Sequence, residues 1–413
     1  MLDRLHVLRA SWTLVDQGLV SLGAFLVNVQ LARQLAPGEY GTFALLLGGF
    51  LGLQLFNSSL LLYPMSIRLP VMQELGKKQL QSATVLLVAG CSILLGGVLA
   101  AALYLFGRGD LILPALAAFL CWQMQETMRR GLLAEFRYST AIVGDATAYY
   151  GQVAAIAVLS ATGELTLAHA LEIMALGYGA GAIIQAVQTR LSFRHVGNLR
   201  QTAMEFWSIG SWSLLNNVVS LLRIQILPWT LAGAGGAAAA ASFQAALNIV
   251  NLTNPVILGL CNVIPQTAAR AQQSGGNGEA WRAARVYILM GIPPILGYYA
   301  LVLVAPALFL RIFYGAASPY LALTFDLQVL ALAWAISYAT DMTCSYLHGV
   351  SGARLALFIN MSGAIAVAVL ALPLIQTYGL TAGCLALLGA NLVRLAASYH
   401  IQRRITADAY VAA

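Results

Sequence analysis

The chain alternates between long apolar segments and short polar connections from one end to the other. Most apolar segments hold about 20 residues or more, the length that an α-helix needs to cross the hydrocarbon core of a bilayer. With polar clusters, glycines and prolines taken as boundaries, the pattern predicts twelve transmembrane helices. The predicted spans are 12–35, 40–63, 82–106, 111–128, 141–161, 167–188, 206–231, 237–262, 284–310, 321–347, 355–375 and 379–399.

The composition excludes a soluble globular protein. Of the 413 residues, 60% are hydrophobic and 9% are charged, which leaves too little charge to cover a water-facing surface. All five cysteines lie within apolar segments, without a CxxC pair or a histidine cluster, so we expect neither disulfides nor a metal site. The sequence has no GxxxxGK[ST], HExxH or nucleophile-elbow motif. We therefore expect a protein that is not an enzyme and that uses no cofactor.

The basic residues predict the orientation in the membrane. With a cytoplasmic N-terminus, the cytoplasmic segments hold 17 Lys and Arg, whereas the opposite side holds 3, namely Arg33, Arg108 and Arg311. By the positive-inside rule, both termini are cytoplasmic. The basic start, 1–9, is expected to lead into a retained first helix and not a cleaved signal peptide. The net charge of +7 then reflects topology, and we expect no nucleic-acid partner.

The two halves of the chain repeat each other at an offset of 200 residues. Residues 11–14 (SWTL) recur as 211–214 (SWSL), 31–32 as 231–232, and Phe43 as Phe243. We therefore predict two six-helix lobes, 1–205 and 206–413. Because each lobe holds an even number of helices, both insert with the same orientation, and a pseudo-two-fold axis along the membrane normal relates them. A binding site is expected between the lobes, near the middle of the membrane.

The connection between the first two helices carries a recognisable motif. Residues 31–43 have the sequence LARQLAPGEYGTF. This resembles the LARxLxPxEYGxF signature of polysaccharide-transporter (Wzx-type) flippases, which belong to the multidrug/oligosaccharidyl-lipid/polysaccharide (MOP) superfamily. Residues 313–315 (FYG), 318–319 (SP) and 378–379 (YG) are similar to later landmarks of the same family.

The resemblance covers essentially the whole chain and implies an all-α integral membrane protein of two six-helix bundles that form a V. It implies export of an undecaprenyl-diphosphate-linked oligosaccharide from the cytoplasmic to the periplasmic leaflet of the bacterial inner membrane, for extracellular polysaccharide or O-antigen synthesis. The implied partners are this polyprenyl-diphosphate-linked oligosaccharide, membrane lipids, a polysaccharide polymerase and glycosyltransferases. The multidrug (MATE-like) branch shares the fold, so a cation-coupled drug exporter is the alternative.

Polar residues inside spans are costly and are therefore candidates for function. Arg223 lies several ångströms past the midpoint of the seventh span, where a guanidinium that faces lipid would cost at least about 2.5–3.5 kcal/mol. We expect it to face a wet cavity and bind a phosphate; the alternative is a structural ion pair or a side chain that reaches the interface. Asn216 shares its helical face.

Further candidates for substrate binding are carboxamides and one aromatic ring. Gln244, Asn248 and Asn251 follow helical spacing in the eighth span, and carboxamides can both donate to and accept from sugar hydroxyls. Gln30 lies in the first span, and the Trp122 ring could stack on a sugar. The alternative for the carboxamides is hydrogen bonding between helices, worth about 0.6 kcal/mol each in a membrane.

Three aspartates within spans, Asp16, Asp145 and Asp341, are candidates for binding a coupling H⁺ or Na⁺. For Asp16, an equally open alternative is interaction with the N-terminal dipole of its helix near the cytoplasmic surface. Arg394 lies close enough to the cytoplasmic end of the last span to be expected at the interface. Glu126 and Arg130 are expected to form a surface pair at a helix end.

Overall fold

A computed structural model describes the backbone of residues 2–194, 196–350 and 352–411. Within these ranges, the side chains of 2–11, 13–14, 212, 216, 220, 223, 274 and 403–411 lie outside the description. Nearly all of the described residues are helical. Helices suit an apolar chain in lipid because they satisfy every backbone hydrogen bond within one segment.

The chain divides into two compact units, Met1–Val218 and Val219–Ala413. Unit 1 contains seven α-helices and the first part of an eighth. They are α1 (Leu2–Gln34), α2 (Pro37–Asn57), α3 (Tyr63–Arg68), α4 (Glu74–Leu105), α5 (Ile112–Ala134), α6 (Tyr138–Thr162), α7 (Leu167–Thr189) and α8 (Leu199–Val250), which continues into unit 2. A π-helical turn, Ser58–Leu62, joins α2 to α3. Within unit 1, α6 packs between α1 and α7, and α5 packs against α4 and α7.

Unit 2 contains the rest of α8 and four further helices. They are α9 (Asn254–Val304), α10 (Pro306–Tyr314), α11 (Thr324–Gly349) and α12 (Ala353–Val411). The helix α11 packs against both α9 and α12, and these three helices position the polar residues of this unit.

Glycines divide the three longest helices. Gly236 in α8, Gly276 in α9 and Gly379 in α12 have φ of 72°, 70° and 63°. These values lie in the left-handed region, which glycine adopts without the clash that a Cβ would cause. Gly236 and Gly379 lie at predicted span boundaries, and Gly276 lies in the predicted connection between the spans that end at 262 and begin at 284.

The number of membrane crossings is consistent with the prediction of twelve. Among the described residues, nine helices are long and apolar enough to cross a membrane. Two of these, Ile224–Gln273 and Ala353–Gln402, are 50 residues long and contain a glycine break, so each has the length for two crossings. The helix α5, which carries several charged residues, is not among the nine.

The boundary between the units lies inside α8 and not at the predicted lobe boundary of 205/206. The first part of α8 packs against the π-helical turn of unit 1. A Cβ on Gly210 would lie 2.5 Å from the Ser59 carbonyl oxygen, and Asn217 Nδ2 donates to Ser59 Oγ at 2.8 Å. These contacts explain why the residues before Val219 group with unit 1, whereas the division of the repeats at 205/206 stays a prediction.

Two pairs of positions that match in the internal repeat also match in burial, whereas Ala32 is buried and Ala232 is only partly buried. Leu31 and Leu231 are both fully buried, and so are Phe43 and Phe243. The duplication stays a prediction.

Candidate functional site

Unit 1 holds a buried cluster of charged and polar side chains, which we call the unit 1 centre: Asp16, Gln125, Glu126, Arg129, Asp145 and Gln185. Arg129 of α5 lies at its middle. It donates from Nη2 to Asp16 Oδ2 at 2.6 Å and from Nε to Asp145 Oδ2 at 2.9 Å. Three helices therefore meet at one guanidinium, because α1 contributes Asp16 and α6 contributes Asp145.

Two carboxamides complete the surroundings of Asp145. Gln125 Nε2 and Gln185 Nε2 donate to Asp145 Oδ1 at 2.6 and 2.9 Å, and Gln185 also donates to the Ala141 carbonyl oxygen at 3.1 Å. Small residues create the space for these amides. A Cβ on Gly144 would lie 2.7 Å from Gln185 Cδ, so the glutamine from α7 reaches Asp145 only because α6 has no side chain at this position.

The unit 1 centre contains more negative than positive charge. Asp16, Glu126 and Asp145 provide three carboxylates, whereas only Arg129 and the partly exposed Arg130, which pairs with Glu126 at 2.7 Å, provide cations among the described residues. Asp16 is fully buried, and its Oδ1 has no hydrogen-bond partner in the described part of the chain. A buried carboxylate oxygen in this state has the capacity to bind one further positive charge.

Unit 2 holds a second polar cluster around a buried arginine, which we call the unit 2 centre: Ser337, Asp341, Asn360, Asn391 and Arg394. Arg394 of α12 donates from Nη2 to Asp341 Oδ1 at 2.7 Å and to Asn360 Oδ1 at 2.9 Å. Its Nη1 donates to Ser337 Oγ at 3.0 Å and to Asn391 Oδ1 at 3.2 Å. Here one arginine faces one carboxylate and three neutral groups.

These contacts correct three expectations. Arg394 is only 1% exposed and does not reach an interface, because its guanidinium is held inside by Asp341 and Asn360. Asp16 lies well inside α1 and is paired with Arg129, which rules out interaction with the helix N-terminus. Glu126 pairs with Arg130 as expected but is buried, so the pair is not a surface pair.

Residues of the two centres lie at the same distances from the starts of their helices, but their charges differ. Arg129 lies 17 residues after the first residue of α5, and Asp341 lies 17 residues after the first residue of α11. Asp145 and Asn360 each lie 7 residues after the first residue of α6 and α12. At the compared position, α5 thus carries the cation in unit 1 and α11 carries the acid in unit 2.

The predicted carboxamides of the eighth span are bonded inside unit 2. Gln244 Nε2 donates to Asn248 Oδ1 at 2.8 Å, and Asn251 Oδ1 accepts from Trp334 Nε1 at 3.1 Å. Asn248 also contacts the Tyr314 hydroxyl at 3.5 Å. These bonds agree with the packing alternative, and a role in sugar binding stays a prediction.

The remaining sequence candidates have different surroundings. The Trp122 ring lies 6.3 Å from the ring centroids of both Phe50 and Tyr178. The Gln30 Oε1 atom is buried without a hydrogen-bond partner among the described residues. The side chains of Asn216 and Arg223 lie outside the described residues, so their predicted roles remain predictions.

The motif of the first connection has a structural role in unit 1. Glu39 and Thr42 both accept hydrogen bonds from Arg108, at 3.2 and 3.4 Å, and Tyr40 is fully buried. Arg108 also pairs with Asp110 and holds the pKa of that carboxyl below its usual value. The motif therefore ties the start of α2 to the connection between α4 and α5.

Several polar residues of these centres were not predicted. Arg129 follows directly after the predicted end of its span and therefore counted as a cytoplasmic residue, although Gln125, four residues earlier, shares its face. Gln185 and Asn360 were also missed. A further acid outside the two centres, Asp326 in the first turn of α11, was also not predicted. It is buried and interacts with the Thr381 hydroxyl, and it has no arginine or lysine partner among the described residues.

No protein-family model matches the sequence, and no curated protein matches it either. Solved structures match nearly the whole chain. The inward-facing conformation of a multidrug resistance MATE family transporter of the MOP superfamily matches with a TM-score of 0.81 and 14% identity, over 95% of this chain and 96% of that chain. The chain has the fold of a MOP-superfamily transporter.

Two further MOP-superfamily structures support this fold. The outward-facing conformation of a multidrug resistance MATE family transporter matches with a TM-score of 0.72 and 14% identity, over 97% of this chain and 96% of that chain. A MOP superfamily transporter from Pyrococcus furiosus, for which reverse polarity of the binding pocket suggests a different function, has a TM-score of 0.69 and 14% identity over the same shares. These similarities show the MOP fold, and the Wzx-type branch stays a prediction.

Proposed function

We propose that this protein is an exporter of the bacterial inner membrane that works by alternating access and moves an undecaprenyl-diphosphate-linked oligosaccharide from the cytoplasmic to the periplasmic leaflet. The MOP fold and the motif at 31–43 support this proposal. Both termini lie in the cytoplasm, and the protein acts together with a polysaccharide polymerase and glycosyltransferases. Transport is coupled to protons.

One observation carries the choice of an anionic substrate. All three aspartates that are candidates for binding a cation are paired with arginines, since Asp16 and Asp145 share Arg129, and Asp341 pairs with Arg394. A carboxylate that is paired with an arginine attracts a cationic drug less than an unpaired one does. Arg394 has only one carboxylate partner among the described residues, and a guanidinium of this kind suits a phosphate.

The unit 1 centre supports coupling to a proton over coupling to sodium. Arg129 already bonds to both Asp16 and Asp145, and the carboxamides of Gln125 and Gln185 point their donors at Asp145. A hard metal cation requires several oxygen ligands at once, whereas a proton requires only one, such as Asp16 Oδ1. Protonation of one carboxyl would remove the excess negative charge and loosen its bond to Arg129.

Export is tested with purified protein in proteoliposomes that contain a fluorescent polyprenyl-diphosphate-linked oligosaccharide. Movement of the probe between leaflets should depend on a pH gradient and not on a sodium gradient. Asp16→Asn should abolish the response to pH. The matched control is Asp110→Asn, which removes an exposed carboxylate in a connection and should leave transport unchanged. A response to sodium alone would contradict proton coupling.

A MATE-like multidrug exporter is the second candidate. The MATE family transporters with this fold are described as multidrug resistance proteins, and buried Asp326 offers an acid without a cationic partner among the described residues. Mass spectrometry of lipids that co-purify with the protein separates the two functions. A bound polyprenyl diphosphate supports the flippase. Transport of a cationic dye in the same proteoliposomes, without movement of the lipid probe, would instead establish the drug exporter.

A further inference from the structure

The guanidinium of Arg394 has one unused donor and a partner that can be displaced. A guanidinium has five N–H donors, and four of these are bonded to the other members of the unit 2 centre. The Nε donor is buried and has no acceptor in the described part of unit 2. The one charged partner, Asp341, has 31% of its side chain exposed, whereas Arg394 has 1%. The carboxylate therefore lies between the arginine and the outside of the unit.

The neutral members of the unit 2 centre suit an oxyanion other than Asp341. Ser337 Oγ currently donates to Asp341 Oδ2 at 2.9 Å, so this hydroxyl already serves as a donor to an anion. Rotation of the Asn360 carboxamide would present its NH₂ group as a further donor, whereas the NH₂ group of Asn391 already donates to the Ala333 carbonyl oxygen at 3.0 Å. With Asp341 turned away, the centre would hold a buried cation surrounded by neutral donors.

The unit 1 centre lacks this property. Its Arg129 contacts three carboxylates, Asp16, Glu126 and Asp145, so the loss of any one of them leaves two others around the guanidinium. An incoming anion would be repelled there. Of these two buried arginines, Arg394 is the one whose surroundings allow an anion to bind.

We propose that the unit 2 centre is a phosphate-binding site in which the Asp341 carboxylate occupies the place of the ligand. The phosphate of a diphosphate-bearing ligand would displace Asp341 and bind the planar edge of Arg394 through two parallel hydrogen bonds. This inference rests on the proposed function, because a lipid-linked diphosphate is the substrate that would supply the phosphate. It adds Arg394 as a recognition residue and makes Asp341 its competitor.

Binding is measured by isothermal titration of the full chain in nanodiscs with inorganic pyrophosphate and, separately, with farnesyl diphosphate. Arg394→Gln should weaken binding roughly tenfold or more, the effect of removing a charge-assisted hydrogen bond. Asp341→Asn should tighten binding by a similar factor, because it removes the competitor and keeps the shape. If the pair of Asp341 and Arg394 is purely structural, Asp341→Asn should instead weaken the binding of both probes. Tighter binding of farnesyl diphosphate than of pyrophosphate would identify a lipid as the source of the phosphate.

A matched control tests whether net charge alone causes the effect. Glu279→Gln also removes one negative charge from unit 2, at an exposed pair with Arg282, and should leave the affinity unchanged. Equal tightening by Glu279→Gln and Asp341→Asn would overturn the proposal.

A second variant keeps the test decisive if Asp341→Asn fails to fold. A Cβ on Gly363 would lie 2.5 Å from Arg394 Cγ and would also clash with its Cδ, so Gly363→Ala moves the arginine without changing any charge. This variant should lose pyrophosphate binding, and full retention would refute the site. If these variants bind normally while lipid export continues, the inference fails and the proposed function stands. If pyrophosphate binds at Arg394 but only cationic dyes are transported, the proposed function fails instead.

Discussion

Replacement of Arg129 by glutamine is expected to destabilise unit 1 far more than replacement of its neighbour Arg130. Arg129 forms the only ion pair that Asp16 makes among the described residues, whereas Asp145 keeps its two carboxamide donors. Removing one partner of a buried ion pair costs about 3–5 kcal/mol, because the other charge stays buried without compensation. Arg130 is itself 44% exposed, and Glu126 keeps its pair with Arg129 when Arg130 is replaced, so the loss should be about 0–1 kcal/mol.

The stability of these variants is measured by unfolding in mixed micelles with increasing sodium dodecyl sulfate, followed by tryptophan fluorescence. Arg129→Gln should lower the free energy of unfolding by about 3–5 kcal/mol, and Arg130→Gln by about 1 kcal/mol or less. The double variant Arg129→Gln/Asp16→Asn should recover much of the loss, since it removes the uncompensated charge. The double-mutant cycle then gives a coupling energy of about 2–3 kcal/mol.

Two results would refute this reasoning. A loss of less than about 0.5 kcal/mol for Arg129→Gln would show that the guanidinium is not essential to the buried acids, because changes of this size are typical of ordinary surface positions. A double variant less stable than the single one would show that Asp16 contributes to folding independently of Arg129.

Three further predictions concern orientation, the seventh span and the packing of unit 1. A cysteine at Gly163 on a cysteine-less background should react with an impermeant reagent from the periplasm, and one at Gln79 should not; the reverse would overturn the orientation. Arg223→Ala should insert and fold but lose lipid export, and Arg223→Lys should keep part of it, so normal export by the alanine variant would exclude a phosphate role. Gly144→Ala should push the neighbouring glutamine of α7 away from its aspartate and cost about 1–3 kcal/mol, whereas Gly151→Ala, with nothing within 4 Å, should not lower stability in the same unfolding assay.

Much of the architecture could be predicted from the sequence because membrane insertion depends on local properties. Hydropathy over about 20 residues decides whether a segment crosses the bilayer, and glycines with positive φ end helices wherever they occur. The breaks at Gly236 and Gly379 follow from such local signals. The acids Asp16, Asp145 and Asp341 could also be identified, because a charge in an apolar segment is conspicuous without knowledge of its neighbours.

The partners of these acids were decided only by the tertiary structure. Arg129 and Asp16 are 113 positions apart, and their contact depends on which faces of α1, α5 and α6 meet. In the sequence, Arg129 was indistinguishable from the basic residues that favour the cytoplasmic side, and Arg394 from a side chain that extends to the interface. Packing instead buries both guanidiniums, because each finds a carboxylate on a neighbouring helix that compensates for its loss of hydration. Helix packing also determines the number of carboxylates around each arginine, and the proposed phosphate site at Arg394 is based on that number.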